Sequence, residues 1–294
     1  MSAAPYLRSQ AEAEAASLPP LLAHAEHLAG TVLLGEHGRR RAGMGDDFWQ
    51  YRPVQPGDSL RMIDWRRSAK SDAQFVRQRE WQVAQSVMMW VDTAPSMLFA
   101  SDKETPQKAD RARLLALALA ILLIRSGERV GLTGTDLPPR RGEAQILRLA
   151  EMFLRDDVGG ETPDYGTPES RAMLPHARAV FVSDFMGDFD AVQAALTKAA
   201  DRGVMGACLQ VLDPAEEDFP YKGRAIFESM GGSLSHDTKK ADDLRPRYLE
   251  RLAERQAALK DLCRATGWLY GHHSTGQPAQ AALLWLHRAL ERRG

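Results

Sequence analysis

The chain has 294 residues, enough for one large core or two small ones, and its 38 lysines and arginines nearly cancel its 39 aspartates and glutamates. That balance excludes the basic excess of a general nucleic-acid binder. Cys208 and Cys263 lie far apart, without CxxC or neighbouring histidine spacing, which excludes a disulfide framework and a zinc site and suits small apolar fillers in a reducing compartment.

The N-terminal stretch carries acidic residues where a secretory signal would need an apolar core. From about Ser17 to Gly30 the spacing of Leu18, Leu21, Leu22 and Leu28 predicts a helix; His24 and His27 share it, with no second pair to complete a metal site. Residues 31–80 are rich in glycine, arginine and aromatics and read as irregular structure with one or two strands. Arg39-Arg40-Arg41 lies there as a solvated loop, since no aromatics interleave with it.

Beyond residue 80 strands and helices alternate. Val87–Asp92 is a short continuous apolar run, the mark of a strand covered on both faces. The next helix spans Thr105–Ser126, with Thr105 as N-cap, Pro106 in the first helical position and Gly127 just past the end. Its run Leu114–Ile124 is apolar all round, which predicts deep burial; a membrane span needs about 20 such residues, so a soluble, cytoplasmic chain is expected.

"RVGLTGTDLPPRRG" predicts a strand, a turn and a short return strand, and "EAQILRLAEMFLRD" an amphipathic helix. After a Gly- and Pro-rich loop come the strand "ARAVFVSD", the helix "FDAVQAALTKAADRG" and the strand "VMGACLQVLDP". A hairpin around Gly231-Gly232, a helix from about Leu244 to Ala265, the strand "GWLYGHH" and a helix near Ala279–Leu290 complete the chain. The fold class is therefore α/β, a mainly parallel sheet with helices on both faces.

Two apolar strands end on carboxylates, Asp92 and Asp184. In an open parallel sheet the carboxyl ends of the strands are where ligands bind, near the reversal of strand order. A buried carboxylate needs a partner. Magnesium uses one or two carboxylates and keeps several waters, so these aspartates with the Ser96 hydroxyl and a hydroxyl from a neighbouring loop would suit it. The bland alternative is that Asp92 and Ser96 only hydrogen-bond the loop above the sheet. His272-His273 cannot converge on one ion, because neighbours on a strand face opposite ways.

"DTAPSM", Asp92 to Met97, resembles the D-x-S-x-S metal-ion-dependent adhesion motif of von Willebrand factor type A domains. "RPVQPGDSLRMIDWRRSAK", Arg52 to Lys70, with "VFVSD" and "LDPAEEDFP", is similar to one bacterial branch of them, domain-of-unknown-function family fifty-eight, from about Leu28 to the C-terminus. The resemblance implies a von Willebrand factor A-like, Rossmann-like fold over 81–294, with an N-terminal helix and signature segment, 1–80, packed on it. It implies magnesium ligands at Asp92, Ser96, Thr162 and Asp184, in a site made degenerate by Ala94, which stands where the motif has its first serine. Val54 likewise stands where the signature has tyrosine.

Within the signature, Asp58, Arg61 and Asp64 could form a carboxylate–guanidinium–carboxylate network covered by Trp65, either pinning the N-terminal segment or serving as a docking surface. The family is similar to proteins encoded beside MoxR-type AAA+ ATPases, which implies a non-enzymatic interaction module acting with such an ATPase in protein maturation or chaperoning. No phosphate-binding loop, nucleophile elbow or Asp-x-Asp motif supports an enzyme. The competing reading is a magnesium-dependent hydrolase using Asp92 and Asp184.

Overall fold

A computed structural model describes residues 20–36, 48–54, 63–69, 74–79, 85–155, 163–169, 173–232 and 234–291. The chain divides into two units, one formed by residues 1–36 with 85–294 and the other by 37–84. The larger unit begins with helix α1 (Pro20–Glu36), which runs past Gly30 and buries Leu22, Ala25, Ala29 and Val32 on one stripe. In the smaller unit β1 (Phe48–Pro53) pairs antiparallel with β2 (Phe75–Arg79), with the short helix α2 (Trp65–Ser68) between them in sequence.

The large unit then runs through β3 (Ser86–Val91), α3 (Lys108–Arg125), β4 (Arg129–Leu132) and α4 (Glu143–Leu154). It continues with β5 (Arg178–Ser183), α5 (Phe189–Ala200), β6 (Met205–Leu212) and the short α6 (Pro214–Asp218). The hairpin β7 (Ala225–Glu228) and β8 (Ser235–Thr238), helix α7 (Arg245–Ala265), β9 (Leu269–Ser274) and α8 (Ala279–Glu291) follow.

Five strands form one parallel sheet in the order β4-β3-β5-β6-β9. The chain enters at β3, steps outward to β4, then crosses back to β5 on the other side, so the direction of winding reverses between β3 and β5. This is a Rossmann-like arrangement consistent with the von Willebrand factor A type, and β3 and β5 are central neighbours as the apolar runs predict. Every residue of β5 is buried, because both faces of the sheet are covered. One face carries α1, α3, α4 and α8; the other carries α5 and α7 around Phe181, Phe185 and Trp268.

Helix α3 explains its own composition. It packs on the sheet below and on α1, α4 and α8 around it, so residues Leu115–Leu122 are at most 1% exposed. A helix covered on all sides has no polar face to spare. Its start differs from the predicted Thr105 cap. The Asp102 carboxylate accepts from the Glu104 and Thr105 backbone N–H groups, which ties those residues into a local turn, and the helix begins at Lys108. The predicted return strand after β4 is a single antiparallel bridge, Val130 to Arg140. Gly131 permits it, since a Cβ there would press on the backbone of Leu137–Pro139.

The two thiols, distant in sequence, are buried beside one another between β6 and α7. Burial, with the Cys263 thiol beside it, pushes the Cys208 thiol well up, and such a sulfur is a poor nucleophile. In the native protein neither cysteine should react with an aromatic disulfide reagent within minutes, and both should react on unfolding. Rapid labelling of the folded chain would count against this packing.

Candidate functional site at the strand ends

The site starts from two strand registers. Val91 of β3 pairs with Val182 of β5, so Asp92 and Asp184 emerge from neighbouring strands at the same carboxyl edge, beside the winding reversal. Asp92 is 2% exposed and Asp184 1%. Both are interior groups, and neither could stay charged there without donors or a cation.

The Asp92 backbone N–H donates to Val182 O at 2.9 Å, continuing the strand pairing by one residue. Its Oδ1 accepts from the Ala94 N–H at 2.9 Å and its Oδ2 from the Ser183 hydroxyl at 2.6 Å. Ser183 Oγ in turn accepts from the Phe185 N–H at 2.9 Å. Burial, with the Asp184 charge adding to it against the two hydrogen bonds, pushes the Asp92 carboxyl up to about 6. Gly166 closes over this carboxylate; any Cβ there would overlap it.

Asp184 has a different partner. Its Oδ2 receives the Lys108 ammonium at 2.8 Å, while its Oδ1 accepts from the Met186 N–H at 3.0 Å. Lys108, itself 1% exposed, also reaches Glu216 Oε1 at 2.6 Å. Burial pulls the ammonium down, but Asp184 and Glu216 outweigh it and hold Lys108 above the usual lysine range. Glu216 is pushed up by burial in spite of Lys108.

Neighbouring groups hold these side chains in place. Glu216 Oε2 accepts from the Asp213 N–H at 2.9 Å and the Asp213 carboxylate caps α6, the reciprocal pattern of a capping box. The buried Gln210 amide donates to Asp184 O at 2.8 Å and its oxygen accepts from the Tyr270 hydroxyl at 2.6 Å. Phe185, directly after Asp184, has φ 51°, a left-handed conformation costing about 1–2 kcal/mol for a residue with a Cβ. The Arg255 guanidinium holds that turn by donating to the Phe185 and Gly187 carbonyls. Such strain gathers where a chain must aim particular groups.

Of the four residues predicted as metal ligands, Asp92, Ser96 and Asp184 lie at this edge; Thr162 lies outside the described residues. Ser96 sits on a 3-10 turn, Pro95–Leu98, and its N–H donates to Asp164 O at 2.9 Å. Its hydroxyl is buried and has no hydrogen-bond partner among the described residues. Among those residues no group of three or more His, Cys, Asp or Glu side chains could hold a metal ion. The donors divide as follows: an orphan hydroxyl suits a cation, whereas each oxygen of both aspartates already accepts a protein hydrogen bond and one of them holds an ammonium. The set does not fit a divalent ion shared by Asp92 and Asp184.

Lys108 and Glu216 were missed in the sequence. Both left signals: Lys108 stands at the head of the buried spacing Ala112, Leu115, Leu119 on α3, and Asp213 with Glu216 spells a capping box. The histidine pair behaves as strand alternation requires. His272 faces Glu217, Nε2 to Oε1 at 2.9 Å, while buried His273, pushed down to about 4 by burial and by Arg111, accepts from the Arg111 guanidinium at 2.7 Å. In the smaller unit Trp65 is 57% exposed; Asp58 and Arg61, and with them the expected charge network, lie outside the described residues. The Asp64 backbone N–H donates to Phe75 O and its carbonyl accepts from the Ser68 hydroxyl.

The chain is 26% identical over 251 residues to the uncharacterized protein Mb1516 of Mycobacterium bovis, and equally to Rv1480 of Mycobacterium tuberculosis, covering 80% of this chain and 77% of each relative. Among solved structures it is similar to the conserved hypothetical protein BatB from Bacteroides thetaiotaomicron, at 17% identity and TM-score 0.41, over 69% of this chain and 96% of that one. It is also similar to an aerotolerance-related membrane protein from Bacteroides fragilis, at 15% identity and TM-score 0.42, over 70% and 98%. An uncharacterized membrane spanning protein from Vibrio fischeri matches at 14% identity and TM-score 0.17, over 71% and 98%.

Two of these structures are described as membrane proteins, and the expected cytoplasmic location is corrected on that finding. Among the described residues no helix is long and apolar enough to cross a membrane. Residues 50–258 match the family described as protein of unknown function DUF58, and the chain belongs to that family.

Proposed function

We propose that this protein is a non-enzymatic interaction module of the von Willebrand factor A type, whose binding edge is the carboxyl end of β3 and β5. The observation that carries the reading is the state of the two strand-end aspartates. Both are buried, and every oxygen of both accepts a hydrogen bond from the chain itself. A hydrolytic carboxylate pair needs its charge turned to a metal, a water or a reacting bond, whereas the charge of Asp184 is taken up by the Lys108 ammonium. These oxygens instead tie down the turns that follow each strand, at Ala94 and at Met186, which is what a recognition surface on a rigid sheet requires.

The partner in this reading is a MoxR-type AAA+ ATPase, with the module serving protein maturation or chaperoning. Its adhesion motif is degenerate, since Ala94 supplies only a backbone N–H where the motif has a hydroxyl. Membership of DUF58 and the signature Arg52 to Lys70 support that choice.

The immobilised chain should retain a purified MoxR-type ATPase from its own organism, with equal retention in chelator and in magnesium. It should hydrolyse no phosphate ester. Failure to retain the ATPase would remove that partner. Magnesium-dependent turnover lost in Asp92→Asn would replace the module with a hydrolase.

A further inference from the structure

We infer that Lys108 is the resident cation of the strand-end site, its ammonium standing where a divalent ion would otherwise balance Asp184 and Glu216. Lysine is almost never fully buried unless it is paired. Here the ammonium is 1% exposed and lies 2.8 Å from Asp184 Oδ2 and 2.6 Å from Glu216 Oε1, with the Phe99 ring 5.9 Å away on another side. Two charge-assisted hydrogen bonds of this length satisfy most of what such a group can donate.

Three features make the lysine a replacement for a metal ion and leave it little room to act as an accessory to one. Asp184 is the carboxylate that a metal at this edge would share with Asp92, and its Oδ2 is on the ammonium while its Oδ1 is on the Met186 N–H. Magnesium demands near-octahedral geometry and keeps its waters, so it needs open space as well as oxygens. That space is closed on the Asp92 side by Gly166, whose backbone touches the carboxylate so closely that no Cβ fits. The orphan Ser96 hydroxyl is then what remains of a cation cradle whose charge has moved to a side chain.

The chain also explains how a lysine reaches this point. Lys108 is the first residue of α3, the most deeply buried helix, so its stem is packed among apolar neighbours and its head emerges at the sheet edge. The consequence is an edge whose geometry does not depend on metal supply. The inference shares its location with the interaction reading and rests on it only for that; its test uses no partner, so either can fail without the other.

The experiment is thermal unfolding of the wild type, Lys108→Met and Lys108→Arg, each in chelator and in millimolar magnesium or manganese. The wild type should melt at the same temperature in all three. Lys108→Met should melt lower in chelator and recover several degrees in manganese, because a ligand that binds only the folded state raises its stability. Lys108→Arg should show no metal response.

Should Lys108→Met fail to fold, calorimetric titration of the wild type with manganese decides, and heat-silent addition is the expected result. Metal binding to the wild type that Asp92→Asn removes would overturn the inference. So would a folded Lys108→Met that gains nothing from either ion.

Discussion

Replacing Asp184 by alanine should cost about 3–5 kcal/mol of stability, the range for stripping one partner from a buried ion pair. The physical reason is that Lys108, at 1% exposure, cannot turn to water when its 2.8 Å partner disappears. Glu216 would remain at 2.6 Å, which places the loss toward the lower end, while the Met186 N–H would lose its acceptor and push it back up. In a domain of this size each kcal/mol moves the melting point by about 2–4 °C, so a fall of roughly 10 °C is expected. The same change made in a Lys108→Met background should cost far less, because the charge left unpaired is no longer there.

A loss under about 1 kcal/mol in the single variant would show that the pair is not as dry as its burial implies. Asp184 follows the last residue of a strand at the sheet edge, yet it is not a rim residue. Its burial under Lys108 makes it part of the interior.

Across pH 4 to above 6, where His273, held near 4 by burial and by Arg111, adds stability as pH rises, the contribution of Asp92 should fall. Its carboxyl is pushed from 3.8 up to about 6, first by burial. Within that window the folded chain keeps a proton that the unfolded chain has released, so the folded state is favoured at the acid end and loses that advantage as Asp92 ionises. At 2% exposure no solvent discount applies, and the shift corresponds to about 3 kcal/mol. Glu216, also raised by burial, acts in the same direction. Lys108 is raised, and its contribution is lost only above its own range, outside this window.

Asp92→Asn keeps an acceptor for the Ala94 N–H and removes the charge. It should therefore match the wild type near pH 4 and exceed it by about 1–3 kcal/mol near pH 8. Denaturant melts at the two ends of that range measure the difference. An asparagine variant less stable than the wild type at the alkaline end would mean that the ionised carboxylate is favourable where it sits, and the account of this edge would have to be reversed.

Periodicity and strand endings determined most of the architecture without any coordinates. Continuous apolar runs such as "AVFVS", short and rich in β-branched residues, point to strands covered on both sides, and the all-round apolar run of α3, three turns long, points to an interior helix. Alternation of the two made the sheet parallel, and a parallel sheet put Asp92 and Asp184 at one edge. Those are local consequences of spacing.

What only the tertiary structure decided is who meets whom at that edge. Lys108 and Asp184 are 76 residues apart, and Lys108 and Glu216 are 108 apart. No periodicity couples such positions; their meeting depends on the crossover of α3 and the register of β5 with β6. Gly166 over Asp92 and the contact between the Cys208 and Cys263 thiols are likewise products of chain crossing. The motif around Asp92 therefore showed where a charged site would lie, while the identity of its cation is a property of packing, settled by which side chain the longest buried helix delivers to the sheet edge.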